Sequence, residues 1–326
     1  MRYLLNPHTD PYFNMAFDEY CLENAIANEP FFYLWQNKPA VIIGANQQIH
    51  TEVDMAYLKA HDIVLARRVT GGGAVYHDWG NLNYTIVGNA KEMESDYPEY
   101  AHLMQQALCT LGVPATLSGR NDILVNGRKV SGFAKRVAKN RIMVHGTLMY
   151  DVDVDVLSKV LTPPSNKLKS KGIASVRSRV GNLKELLPTI TNIAALKEEL
   201  QRILSNNYAD KEIGINEPMI AAIRQLADEK FADWQWIYGR SPQATLSQTA
   251  RLSCGNVSIH LSINKGKIEH CKFEGDFLGN LPIDTLEQSL IGVAYEYDAI
   301  AQQLAKHNIA TYLDGVTEEE LLKLII

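Results

Sequence analysis

Residues 67–84 read RRVTGGGAVYHDWGNLNY: two arginines, then Val-Thr, three consecutive glycines, a His-Asp pair and a second alternating stretch. Glycine has no side chain and tolerates positive φ, so a triplet lets the backbone turn tightly and approach a ligand closely, at a cost of roughly 1 kcal/mol per glycine. An ordinary turn seldom needs three. The amides of Gly71, Gly72 and Gly73 can bind anionic oxygens as a nest, and the flanking charge favours that use over a plain hairpin or bulge.

Outward from this loop the pattern alternates between two periods. IVLARRV leads into the glycines as a strand, preceded by a helix in EVDMAYLKAH and a buried strand in AVIIG; further upstream an amphipathic helix in FNMAFDEYCLENAIAN lies between strands MRYLLN and FFYLWQ. Downstream, GNLNYTIV alternates as a strand and YPEYAHLMQQALCTLG has helical spacing up to Gly112, a C-cap residue. Asn126-Gly127 marks a hairpin within ATLSGRNDILVNGRKVSGFAKR, and RIMVHGTLMYDV follows as a strand. A long loop rich in Pro, Ser, Lys and Gly covers 161–183, and two helices run through NIAALKEELQRILSNNY and PMIAAIRQLADEKFADW. Small polar residues at 238–250 read as a linker, after which short strands, with a turn at 264–266, and then helices reach the end. The reading is an α/β (α+β) fold of two domains, 1–240 and 251–326.

With 326 residues, 46% of them hydrophobic, the chain is long enough for a large core plus a smaller one, which excludes a disordered chain. No apolar stretch approaches a spanning helix and no signal peptide heads the chain, so it reads as cytoplasmic with no membrane partner. Cys21, Cys109, Cys254 and Cys271 lack CxxC spacing and a His cluster, and are expected to be buried small hydrophobes.

Net charge is −5, yet residues 119–150 carry seven basic residues against Asp122 alone, and 156–184 carry seven more with no carboxylate. Such a patch calls for an anionic partner. Between 120 and 184 the only aromatics are Phe133 and Tyr150, too few for base stacking, which argues against nucleic acid. Nucleotide phosphates and an acidic protein surface are the stronger candidates.

General motifs fail: GRKVSG is not a P-loop, the triplet does not fit GxGxxG, and HExxH and GxSxG are absent. A more specific pattern is present. RRVTGGGAVYHDWGNLNY, GRNDILVNGRKVSG, HGTLMYDVDVDVLSKVL and KGIASVRSRVGNL occur in this order, and together they resemble the lipoate-protein ligase A family. The tail GNVSIHLSINKGKIEHCKFEGDFLG is similar to that family's C-terminal accessory domain.

The resemblance implies the mixed β-sheet catalytic fold shared with biotin protein ligases. It also implies the reaction: lipoate and ATP give lipoyl-adenylate and pyrophosphate, and the lipoyl group passes to a lysine of an acceptor, either a lipoyl domain of a 2-oxoacid dehydrogenase complex or the glycine-cleavage H protein. The accessory domain is implied to assist activation and to change orientation as the adenylate forms.

Attack of a carboxylate on the α-phosphate joins two anions, so the site must supply positive charge and donors. Lys129 in GRKVSG matches the family lysine that contacts the lipoyl carbonyl and the phosphate, and is the expected catalytic residue. The match assigns Arg68, Gly71, Gly72, Val75, His77 and His145, with Lys129, to lipoate. It assigns Arg68, Gly73, Ala74, Val75, Tyr76, Asn81, Asn121, Asp122, Lys129 and Ser178 to ATP and the adenylate. Asp122 offers hard oxygens to Mg²⁺, with a turn-capping aspartate as its plain alternative. For His77 and His145 the alternative is a satisfied core histidine. His77 and Asp78 need not act as a base, because a carboxylate nucleophile is already ionised near neutrality.

Ala45 in GANQQ stands where the family often has a basic residue, and Phe133 and Lys135 occupy positions that are commonly smaller or differently polar. Two other functions remain open. An octanoyl or lipoyl transferase of the same fold would need a cysteine nucleophile, and 110–253 contains none. A non-catalytic lipoate- or RNA-binding protein would have no need of Lys129, Arg68 and Asp122 together.

Overall fold

The computed structural model describes residues 1–325 except 25, 48, 91–96, 120, 162–178, 207–211, 238–245, 265–266 and 296. The strands of its larger part are β1 (Arg2–Leu5), β2 (Phe31–Trp35), β3 (Ala40–Ile43), β4 (Val64–Arg67), β5 (Val75–His77), β6 (Asn81–Asn89), β7 (Ala115–Ser118), β8 (Asp122–Val125), β9 (Arg128–Ala138), β10 (Arg141–Met149) and β11 (Glu212–Ile213). Eight form one sheet in the order β11-β1-β2-β6-β10-β9-β8-β7, and β4-β3-β5 form a smaller one. The large sheet is parallel at its β11-β1-β2 edge and antiparallel beyond, while β3 is parallel to β4 and antiparallel to β5. This is the mixed sheet expected.

The run FFYLW is buried throughout because β2 is covered on both faces. Phe32 and Leu34 join a core with Tyr84, Ile86 and Val144, whereas Phe31, Tyr33 and Trp35 point to the opposite core with Phe17. That second core is filled by helix α1 (Pro11–Glu23), which Asp10 starts by accepting hydrogen bonds from the amides of Tyr12 and Phe13. The helix is shorter than its periodicity suggests and is not amphipathic. Asn14, Asp18 and Glu19 are buried along with its apolar residues, and each finds a polar partner.

The helix expected in EVDMAYLKAH is two short ones, Ile49–Glu52 and Met55–Ala60. Val53 interrupts them by bridging Leu161, and Asp54 caps the second through the amide of Tyr57. Of the cysteines, Cys21, Cys254 and Cys271 are buried, but Cys109 is exposed on the helix Tyr97–Thr110, contrary to expectation. No helix among the described residues is long and apolar enough to cross a membrane.

Asn126 (φ 50°) and Gly127 (φ 75°) both take positive φ, the backbone of a two-residue hairpin turn between β8 and β9. Immediately beyond it the register slips: Leu124 pairs with Lys129 and Ile123 with Ser131, so β9 bulges at Lys129 and Val130. The expected linker 238–250 lies outside the described residues up to 245, as does the expected turn at 265–266. From β12 (Leu246–Leu252) a separate α+β domain begins, with β13 (Gly255–Asn264) and β14 (Lys267–Gly275) completing an antiparallel sheet. Val257, Ile259 and Leu261 of β13 face helices Asp284–Leu290, Tyr297–Leu304 and Glu318–Ile325 in a core of their own. This domain rests on the glycine loop. The amide of Gly72 donates to the carbonyl of Phe277 (3.0 Å), and that of Val137 to Asn280 (3.1 Å).

Candidate functional site

A pocket lies between two walls, the glycine loop with β5 on one side and β9 with β10 on the other. Met15, Trp35 and Ile42 close its inner end. Alternation along β5 turns Val75 and His77 into the pocket and Tyr76 away from it, into a core with Val41, Ile43 and Leu65.

The three glycines serve three ends. A Cβ on Gly71 would overlap the Phe277 carbonyl oxygen, so this residue is bare for the C-terminal domain and not for a ligand. Gly72 needs its positive φ of 94°, and a Cβ there would sit 2.9 Å from the Arg68 Nη2. Only Gly73 faces open space, the nearest heavy atom being 4.0 Å from its would-be Cβ. Of the three, Gly73 alone leaves open space beside its Cα, while the Gly72 amide is taken by Phe277.

Arg68 is bound chiefly to the loop itself. Its Nη2 donates to the carbonyls of Gly71 (2.7 Å) and Gly73 (2.8 Å), its Nη1 to that of Ile42 (3.0 Å) and its Nε to the Thr70 hydroxyl (3.0 Å). Although it lines the pocket, it is spent on the loop's own backbone. Burial, with Arg67 beside it, lowers the guanidinium to about 10, so it remains charged at neutral pH. Arg67 does the same one layer back, donating to the carbonyls of Gly44, Gln47 and Ile237.

Across the pocket, Lys129 is aimed by the β9 bulge and lies over Gly132, where a Cβ would be 2.9 Å from its Nζ. Its ammonium pairs with Asp122 at 2.7 Å, with both side chains about a third exposed (39% and 33%). Asn121 ties the start of β8 to Phe133 by its backbone carbonyl (3.0 Å) and its side-chain amide (3.1 Å). This end is the mouth, where a charged group of a ligand meets water, lysine and carboxylate.

The two histidines stand deeper. His145 Nδ1 lies 2.6 Å from Asp18 Oδ2, and its Nε2 is 2.7 Å from the Thr70 hydroxyl. Asp18 Oδ1 in turn accepts from Tyr33 (2.5 Å) and Thr85 (2.9 Å). Both nitrogens of His145 are therefore engaged, and through Thr70 this network supports Arg68 and the loop. His77 Nδ1 bonds Asn37, while burial, Arg68 and His145 lower its pKa to about 3 and keep it neutral. Asp78 holds the loop together by accepting from the amides of Gly80 and Asp153, both at 2.8 Å.

Of the residues expected at the site, Arg68, Gly72, Gly73, Ala74, Val75, His77, Asn121, Lys129 and His145 line the pocket. Tyr76 points away from it, and Gly71 lines the interdomain cleft instead. Asn81 stands beside the pocket on the same face of β6 as Asn83, its amide on Asn83 at 3.0 Å. Asp122 reaches the site through Lys129, and Ser178 lies outside the described residues. Asp18, Thr70 and Asn83 were not foreseen. For Asp18 a signal existed, since Asn14 and Asp18 put two polar residues at i, i+4 on a helix otherwise built of core residues.

Residues 10–205 match the family described as the lipoyl protein ligase A/B catalytic domain, and 241–325 match the bacterial lipoate protein ligase C-terminus. The lipoate-protein ligase LplJ of Bacillus subtilis (strain 168) is 39% identical over 320 residues, which is 97% of either chain. Among solved structures, P. falciparum LipL1 in complex with lipoate has the same fold, with a TM-score of 0.77 at 22% identity over 99% of this chain and 97% of that one. A lipoate-protein ligase A bound with ATP is similar with a TM-score of 0.61 at 28% identity, over 72% of this chain and 97% of that one.

Proposed function

This chain belongs to the lipoate-protein ligase family, and on that premise we propose that it joins lipoate to an acceptor lysine in two steps driven by ATP. In the first, a lipoate carboxylate oxygen attacks the α-phosphorus, forming the mixed anhydride as pyrophosphate leaves. In the second, the acceptor amine attacks the lipoyl carbonyl and AMP departs. The observation that carries this reading is one pocket whose lining runs from the buried Met15, Trp35 and Ile42 to the partly exposed, charged pair Lys129 and Asp122. An apolar acyl chain with a carboxylate head fits that gradient, at about 0.8 kcal/mol per methylene buried.

Lys129 is the catalytic residue on this reading. Its Nζ exchanges the Asp122 carboxylate for the lipoyl carbonyl oxygen and the α-phosphate, where negative charge accumulates. The amide of Gly73 and the donors of Asn121 line the same mouth. ATP comes with Mg²⁺, and Asp122 is the carboxylate that would hold it; a magnesium ion takes one or two protein carboxylates and fills its shell from phosphates and water. Bound there, the ion would neutralise phosphate charge.

Cysteine placement disfavours the transferase reading. Among the described residues no cysteine lines the pocket: Cys21 is buried with its thiol pKa pushed up by burial, and Cys254 and Cys271 belong to the C-terminal core. The C-terminal domain, taken as 251–326 beside a catalytic part of 1–240, assists activation by releasing the Gly72 amide from Phe277 when phosphate arrives. Acceptors are lipoyl domains of 2-oxoacid dehydrogenase complexes and the glycine-cleavage H protein. The test is mass spectrometry of a purified lipoyl domain incubated with the chain, lipoate and ATP. A lipoyl mass on the acceptor lysine that requires ATP is the expected result; a gain without ATP would overturn the reading.

A further inference from the structure

His77 and Asn83, both almost wholly buried (3% and 1% exposed), end in hydrogen-bonding atoms with no partner, Nε2 and Nδ2 respectively. Both line the pocket, and they meet around Trp35: Asn83 is its cross-strand neighbour, and the His77 ring centroid is 6.1 Å from that of Trp35. This is the buried end, away from the partly exposed Lys129. A buried donor left unmade is costly, and native proteins rarely leave one without a reason.

A chain of amides fixes which nitrogen of His77 carries the proton. The backbone amide of His8 donates to Asn6 Oδ1 (3.1 Å), so the Asn6 Nδ2 donates to Asn14 Oδ1 (2.9 Å). Asn14 Nδ2 is faced by three oxygens, the carbonyls of His8 (3.0 Å) and Gln36 (2.9 Å) and Asn37 Oδ1 (2.8 Å), among which it shares its two protons. Asn37 Nδ2 therefore donates to His77 Nδ1 (3.1 Å). The remaining proton of the neutral ring is on Nε2, pointing into the pocket. Asn83 Oδ1 takes the Asn81 amide at 3.0 Å, and the Asn83 Nδ2 is without a partner. His145 makes the contrast, with both its nitrogens engaged inside the protein.

We propose that His77 Nε2–H, together with the Asn83 amide, recognises hydrogen-bond acceptors at the far end of the acyl chain, so that the site selects the ring sulfurs of lipoate over a plain alkyl terminus. The inference rests on the ligase reading, in which the carboxylate stands at Lys129 and the chain's other end therefore reaches His77. Octanoate, of the same carbon count but without sulfur, leaves both donors buried and unmade. Sulfur is a weak acceptor, but it is a better partner than a methyl group.

The test is calorimetric titration of the full chain and of His77→Phe and Asn83→Val with lipoate and with octanoate, alongside long-range ¹H–¹⁵N spectra of the wild-type imidazoles. The wild-type protein is expected to prefer lipoate on the order of tenfold, the scale of an orphaned buried donor. Each variant should narrow that preference by weakening lipoate and not octanoate. The His77 Nε2 resonance should be of the protonated type and should shift with lipoate more than with octanoate. Equal wild-type affinities, or a His77 signal that moves alike with both acids, overturn the proposal even if a variant fails to fold. Binding of neither acid contradicts the ligase reading itself, and this proposal with it.

Discussion

Arg68 and Lys129 face each other across one pocket with the same charge, and their surroundings give them opposite work. Arg68 is 7% exposed and bound to three backbone carbonyls and a hydroxyl, so its charge is consumed in shaping the glycine loop. Lys129 has 39% of its side chain exposed and a single carboxylate partner that an incoming phosphate can displace. Burial thus separates a cation that builds the site from one that serves the ligand. Motif position alone groups the two together.

Four substitutions or conditions sharpen that contrast. Lys129→Ala should lower adenylate formation on the order of 10²-fold or more, the scale of one electrostatic stabiliser, while the melting temperature stays near wild type. Quenched-flow measurement of lipoyl-adenylate, beside calorimetry, reads both. Near-normal adenylation would move Lys129 out of the mechanism. Arg68→Ala should instead cost about 3 kcal/mol in stability, because it leaves the buried Ile42 carbonyl and the part-buried Gly71 and Gly73 carbonyls without this donor. Denaturant titration measures this, and an unchanged midpoint with lost activity would return Arg68 to the ligand.

Smaller effects separate the glycines and the histidines. Gly73→Val should weaken lipoate and ATP binding by about tenfold with little change in melting temperature, since its Cβ enters open pocket space and not protein. A collapse in stability with normal binding would make Gly73 structural. At His77 the folded state holds the pKa near 3 against 6.5 for the ordinary group, so the unfolded chain binds the extra proton between these values. Stability therefore falls as pH drops through that window, by up to about 1.4 kcal/mol per pH unit from this group. Urea titrations from pH 6 to pH 4 should show a shallower loss in His77→Phe than in wild type, and equal slopes would refute the assignment.

What was legible in the chain was whatever depends on near neighbours. The Asn126-Gly127 turn and the fully apolar β2 follow from φ preference and local hydrophobic pattern, while Val75 and His77 came from the motif. What escaped depends on distant partners. Asp18 is buried in α1 only because Tyr33, Thr85 and His145 from three other strands converge on it. Gly71 is bare because Phe277, some two hundred residues on, packs against it, and no local pattern encodes that contact. Tyr76 was assigned to the nucleotide from its place in the motif, and strand alternation, applied one residue at a time, turns it to the opposite core.

The central claim is that Lys129 and its pocket activate a free acid, and isotope exchange between labelled pyrophosphate and ATP tests it most directly. With the full chain, Mg²⁺ and lipoate, label should enter ATP in the absence of any acceptor protein, and omission of lipoate or the Lys129→Ala change should suppress it. No lipoate-dependent exchange, from a chain that nonetheless acylates a lipoyl domain when given an acyl carrier, would contradict the account and make the protein a transferase.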